Sequence, residues 1–277
     1  MTAALRSVRQ VARGIPTSDG AGVKLTRVIG NQYVKNLDPF LMLDEFKSED
    51  KADYMAGFPM HPHRGFETVT YMLKGAFRHA DNQGNTGYLA PGSIQWMTAG
   101  RGIVHEEMPN QEDGPVWGFQ LWVNLPAKHK MTAPRYQDIR PEQVPEVELE
   151  NGKVKVLVGS FQGVVGPVED VVTDPLYLDF HLNDGATQRV EIPGNKSAFV
   201  YVYQGSARIG KTDLPERHLG ILGDGESLEV TSTSTDTRLL VIAGDPIQEP
   251  VVQHGPFVMN TVEEVQQAIV DFNEGRF

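Results

Sequence analysis

The amino-acid sequence predicts an all-β protein made of two copies of one β-unit, each a sandwich or barrel. Three observations predict it: short segments alternate apolar and polar residues, turn signals recur at close intervals, and one segment is echoed later in the chain. Val69–Leu73, Trp117–Leu125 and Leu228–Val230 have the period-two pattern of half-buried strands. Asp81–Gly84, Pro91-Gly92, Asn183–Gly185, Pro193–Asn195 and Gly223–Gly225 read as turns between such strands. Many short strands with close punctuation favour closed or sandwiched sheets. The echo pairs Glu67–Phe77 with Ser197–Ala207, and Pro91-Gly92 with the Gly223–Gly225 region. Met131–Gly152, rich in proline and charge, reads as the connection. The division expected is a first domain over 1–135 and a second over 136–277.

One helix is predicted, at the end of the sequence. Thr261 and Glu264 are spaced for a capping box, which satisfies two free N–H groups at a helix start. Val262, Val265, Ile269 and Phe272 follow as an apolar stripe, and Gly275 lies past the end.

The bulk properties exclude several function classes. The 277 residues are 40% apolar and 22% charged, with a formal net charge of −11. An acidic chain with no compensating basic cluster repels phosphate backbones, so direct nucleic-acid binding is not expected. The absence of cysteine rules out disulfides and thiolate metal sites. Met1–Arg9 lacks the apolar core of a signal peptide, and no run of about 18 apolar residues exists. A cytoplasmic protein without membrane association is the expectation. No Gly-x-Ser-x-Gly nucleophile motif or phosphate loop is present.

The chemistry concentrates in two short segments. His61-Pro-His63 and His105-Glu-Glu107 each place two metal-capable side chains at i and i+2. On an extended strand such residues share a face, so two adjacent strands would aim three imidazoles and a carboxylate at one point. Pro62 cannot donate a ladder hydrogen bond, which puts the first segment at a strand edge or start. Glu106 should face away from the site. Glu67, four residues after His63, is open to either of two roles: ligand, or acceptor of a hydrogen bond from a ligand imidazole. Gln95 is expected near the barrel mouth. Three imidazoles and a carboxylate suit one divalent Fe, Ni, Cu, Mn or Zn ion, and leave about two octahedral positions open. A closed tetrahedral zinc site is the structural alternative. Glu191 and Pro193 stand where the second copy would have His61 and His63, so the site is expected only once. His79, His129, His181, His218 and His254 lack partners at useful spacing and are expected to be ordinary surface or core residues. Arg101, between Gly100 and Gly102, reads as a solvated charge in a tight turn.

The segments Asp38–Phe46, His61–Val69, Gln95–His105 and Gly255–Thr261 together resemble the pirin family of two-barrel cupins, over nearly the whole chain. The resemblance implies two jelly-roll cupin barrels packed face to face, with one metal in the N-terminal barrel. Its ligands would be His61, His63, His105 and Glu107. The broader cupin pattern would use Glu67 and a histidine where Gln95 stands, so this chain departs from it as pirins do. Glu67, Gln95 and Phe66 are then expected around the ligands or along the substrate pocket. Fe(II) is the first expectation among the candidate ions. The resemblance implies quercetin 2,3-dioxygenase activity: a flavonol, polarised by the ion, gives its hydroxyl proton to Glu107 or a carboxylate beside it. It then reacts with dioxygen, its central ring opens, and carbon monoxide leaves. Other pirins are regulators, which implies the alternative: a metal-dependent, redox-sensing protein that binds a transcription factor or metabolic enzyme, nuclear if the source is eukaryotic. A monomer is expected, since two barrels in one chain can mimic a pair of single cupins.

Overall fold

The computed structural model describes residues 4–110 and 114–277. The first twelve strands are β1 (Val8–Arg13), β2 (Ile15–Asp19), β3 (Val23–Ile29), β4 (Phe40–Ser48), β5 (Phe58–His63), β6 (Phe66–Lys74), β7 (Phe77–Asp81), β8 (Thr86–Leu89), β9 (Ile94–Thr98), β10 (Ile103–Pro109), β11 (Val116–Asn124) and β12 (Arg135–Ile139). All but β1 belong to the unit that carries His61. They form a seven-stranded sheet ordered β12-β9-β6-β11-β4-β3-β2 and a four-stranded sheet ordered β5-β10-β7-β8.

The second set is β13 (Glu146–Leu149), β14 (Gly152–Val158), β15 (Ser160–Phe161), β16 (Val164–Val165), β17 (Leu176–Leu182), β18 (Thr187–Glu191), β19 (Ser197–Gln204), β20 (Ser206–Ile209), β21 (Thr212–Pro215), β22 (His218–Leu222), β23 (Ser227–Ser232) and β24 (Thr237–Gly244). With β1 they repeat the plan: β1-β22-β19-β24-β17-β14-β13 in one sheet and β18-β23-β20-β21 in the other. The echoed segments Glu67–Phe77 and Ser197–Ala207 occupy the same place, β6 and β19, in the two plans. The core of the second unit is a large apolar cluster. Val190 on β18 and Leu228 and Val230 on β23 fill it, on the strands equivalent to those that bear histidines in the first. Among the described residues no second metal-type cluster occurs.

The two compact units do not follow a single cut at 135/136. The chain up to Gly14 joins Glu142–Pro246, because β1 pairs with β22, while Ile247–Phe277 joins the first unit. Each terminal segment thus belongs with the repeat distant from it in sequence, an exchange that no local pattern announces.

The segment after Pro246 adds β25 (Val252–His254), β26 (Phe257–Met259) and the helix α1 (Val262–Asn273). The capping box is present: Glu264 N–H donates to the Thr261 hydroxyl, and the Thr261 N–H to the Glu264 carboxylate. The buried stripe is Val265 and Ala268, with Ile269 half-buried, whereas Val262 and Phe272 are exposed. The predicted stripe was therefore displaced around the helix. Among the described residues no helix is long and apolar enough to cross a membrane.

Candidate metal centre

The barrel interior is layered, and strand register dictates the layers. Alternation along β6 puts Phe66, Thr68, Thr70 and Met72 on one face and Glu67, Val69 and Tyr71 on the other. The floor is apolar: Phe46, Met72, Phe77 and Leu89 pack together, with Phe46 and Phe77 stacked at 5.4 Å. Two residues further along each strand comes a polar layer. Thr70 lies directly across from Gln95 and Gln120, Gln120 from Asp44, and Glu107 on β10 from His79 on β7. Two residues further again are Trp122, Thr68 and Met97 on one sheet, with His61, His105 and Asp81 on the other.

The three imidazoles meet in that upper layer. His105 lies opposite His61, and ring centroids are 4.7 Å apart for His61–His63, 4.5 Å for His61–His105 and 5.0 Å for His63–His105. One ring nitrogen from each lies within 4.8 Å of the others. Donors bound to one ion at about 2.1 Å stand about 3–4 Å apart, so small side-chain movements complete a ligand set. The hydrogen bonding fits an ion as well. His61 Nδ1 is 2.8 Å from the Pro59 carbonyl, which only accepts, so Nδ1 donates there and Nε2 is the nitrogen left for an ion. His105 is fully buried, and among the described residues neither of its nitrogens has a hydrogen-bond partner, nor does His63 Nδ1. Buried polar atoms without partners are costly, and these belong to rings that cluster together. Burial, then the neighbouring imidazoles, push His63 and His105 well below the ordinary histidine value, so both are neutral at pH 7.

Pro59 and Pro62 explain why this geometry arises on β5. It is the edge strand of its sheet, where missing N–H donors do no harm, and its pairing with β10 is irregular between His61 and Phe58.

Glu107 shares the face of His105 but lies outside the imidazole cluster. Its Oε1 is 3.0 Å from the Thr70 hydroxyl, which is also 2.7 Å from Gln120 Oε1. One hydroxyl proton serves one acceptor, so a proton on Glu107 satisfies the chain with Gln120 oriented this way. Burial pushes the Glu107 carboxyl up in that direction, against the influence of His61. Glu106 faces out and pairs with Arg78 at 2.8 Å, as the alternation predicts. Arg101 is an exposed turn residue.

Phe66 packs edge-on to His63 at 5.1 Å and against Trp122 at 4.4 Å, making an aromatic wall beside the imidazoles. Gln95 is buried and donates to Asp138 at 2.8 Å. Glu67 does not sit beside the ligands. It lies on the opposite face of β6, where it accepts from Thr98 at 2.6 Å. His79, Asp138, Thr70 and Gln120 were not singled out by spacing, yet they form the polar layer. His79 is buried, 3.2 Å from Asp138, which is 40% exposed, so the pair joins the interior to the barrel surface. Gly87 makes room for this contact: a Cβ there would overlap His79 Nε2 and come within 2.7 Å of Asp138 Oδ2. Gly87→Ala is expected to cost about 2 kcal/mol, read as a lower urea midpoint with an unchanged slope. On the far side Arg27 grips Asp44 with two hydrogen bonds of 2.9 and 2.8 Å. Burial raises the Asp44 pKa to about 6 against the pull of Arg27, which still leaves it ionised at neutral pH.

Two jelly-roll units, one with a largely buried triple-histidine cluster, define a two-barrel cupin with one metal-type centre among the described residues. The family models agree: that described as Pirin matches residues 22–123, and that described as Pirin C-terminal cupin domain matches 177–277. A pirin-like protein of Caulobacter vibrioides is 48% identical over 99% of both chains. Human pirin is 45% identical over 94% of this chain and 89% of its own. A crystal structure of quercetin 2,3-dioxygenase from Acinetobacter baumannii superposes with a TM-score of 0.91 at 32% identity, covering 99% of each chain. The chain belongs to the pirin family of the cupin superfamily.

Proposed function

We propose that this chain is a metal-dependent dioxygenase of the quercetin 2,3-dioxygenase type, acting on a flavonol-like substrate with Fe(II) as the ion. The observation that carries the reading is the cluster of three imidazoles facing one another, His63 and His105 buried and neutral, beside an aromatic wall. The similarity to the quercetin 2,3-dioxygenase of Acinetobacter baumannii supports it. His61, His63 and His105 would hold the ion, with Glu107 as fourth ligand. A bound Fe(II) would supply Lewis-acid polarisation and a route for electrons to dioxygen.

The chain's own residues do the rest. Trp122, half-buried against the fully buried Phe66, offers flat apolar surface for an aromatic ring. Glu107, once ionised, takes the flavonol hydroxyl proton at a carboxylate oxygen, and Thr70 and Gln120 hold that carboxyl in place. Burial raises the Glu107 pKa, which makes the carboxylate a stronger proton acceptor.

Anaerobic loading with Fe(II), followed by aerobic loss of quercetin absorbance, tests the reading. Turnover is expected in the loaded protein and absent from both the metal-free protein and loaded His63→Ala. Equal loss in all three would sink it. No turnover, with a protein partner retained from extract only by the loaded form, would favour the redox-sensing regulatory role instead.

A further inference from the structure

Two of the three imidazoles ride on β5, an edge strand. Among the described strands it pairs with β10 alone, and it carries two prolines. The residue that follows His63 supplies another hold. Arg64 is 3% exposed, and its backbone N–H donates to Pro256 O at 3.3 Å while its carbonyl accepts from Val258 N–H at 3.0 Å. Its side chain then reaches in three directions. Nη1 donates to Asp271 on α1 at 2.6 Å, Nε donates to the Arg101 carbonyl at 2.5 Å, and the guanidinium lies 4.3 Å from the centre of the Phe277 ring. Phe277 in turn covers the turn that launches β10: a Cβ on Gly102 would come within 2.8 Å of its ring. The Phe277 carbonyl accepts from the Asn82 side chain at 2.9 Å, and Asn82 is itself bonded to Val104 on β10 through two hydrogen bonds.

We propose that Arg64 and Phe277 are positioning residues of the metal centre. They lock the His63 end of β5 to the Gly100–Gly102 turn and thereby fix the spacing of His61, His63 and His105. The proposal rests on the reading that these imidazoles hold an ion. Neither side chain bonds to an imidazole; each acts on the strands that carry the cluster. A site held in ligating geometry before the ion arrives loses no affinity to the collection of its ligands. With the latch gone, that ordering falls to the binding step, and each 1.4 kcal/mol of it weakens binding about tenfold.

The test uses Ni(II), which is air-stable and suits imidazole nitrogen, on the full chain, with affinity read by calorimetry and melting of the metal-free protein read alongside. Phe277→Ala and Arg64→Met are expected to bind Ni(II) at least tenfold more weakly, while metal-free Phe277→Ala melts within a few degrees of the unaltered protein. Phe277→Tyr, which keeps the ring, is expected to restore the affinity. If Arg64→Met fails to fold, Phe277→Ala decides. Unaltered affinity in Phe277→Ala, or a loss that Phe277→Tyr shares in full, overturns the latch. His63→Ala separates the two readings: if it binds Ni(II) as tightly as the unaltered protein, or if neither binds, the metal centre itself is refuted and the latch with it.

Discussion

Replacing His105 with leucine is expected to abolish metal-dependent stabilisation and quercetin turnover while leaving the metal-free protein at least as stable as before. The two halves of this result have one cause. His105 is completely buried, and neither ring nitrogen has a hydrogen-bond partner among the described residues. Without an ion, those atoms carry a desolvation cost of about 1–3 kcal/mol that nothing offsets. Leucine fills a similar volume with no polar atom. With an ion present at about a thousand times its dissociation constant, the unaltered protein gains about 4 kcal/mol by mass action, and the variant gains none. Acid should reveal the same cost. The folded-state values of His63 and His105 lie below the ordinary value of 6.5, so below that pH the unfolded chain binds protons that the metal-free folded state does not. Stability therefore falls as pH drops through and below about 6.5, and His105→Leu should fall less steeply. Melting curves with and without Ni(II) at pH 5.5 and 7.5 check all three statements. A variant that is still stabilised by Ni(II), or is much less stable without it, contradicts the account.

Much of this site was legible because a strand has a period of two. His61/His63 and His105/Glu107 needed only that period to face one way, and Pro62 marked the edge strand that β5 proved to be. The echo also pointed to strands without histidine in the second copy, and β18 and β23 contain none. The capping box at Thr261 is a contact within four residues, and it too was visible. What failed needed knowledge of the path between strands. Glu67 counts as facing His63 only if the strand runs on unbroken, but β5 ends at His63 and Gly65 turns the chain with φ +90° before β6 begins. Glu67 is thereby sent to the other face. His79 and Thr70 belong to the site through the pairing of β7 with β10 and of β6 with β11. Spacing within one strand carries no information about that register. The exchange of the terminal segments is hidden for the same reason, since β1 reads as an ordinary strand whichever sheet receives it.

Lys130→Met is expected to destabilise the protein by about 3 kcal/mol at neutral pH and to remove a rise in stability on the alkaline side. Lys130 is 1% exposed, and its ammonium spends all three donors on Gly65 O at 2.8 Å, Asn124 Oδ1 at 2.6 Å and Val258 O at 3.0 Å. These bonds tie the turn between β5 and β6 to β26. None of the acceptors is charged, so burial dominates and pushes the Lys130 pKa down to about 8, with Glu249 and Glu264 acting weakly the other way. Methionine keeps the length and removes the buried charge, which is favourable, but it strands three buried acceptors at about 1–3 kcal/mol each, and the loss outweighs the gain. Gly65 gives the chain little means of adjusting, because any Cβ there would overlap the Val258 carbonyl. The sign with pH is fixed by the depressed value. Between about 8 and 10.5 the unfolded chain holds a proton that the folded Lys130 has released, so stability rises with pH across that window and is flat below it. The deficit of Lys130→Met should therefore widen by about 2 kcal/mol between pH 7 and pH 10. Urea unfolding of both proteins at the two pH values measures it, and the difference between them cancels the groups they share. A deficit that is constant with pH would mean that Lys130 titrates as an ordinary lysine, and that burial does not govern it.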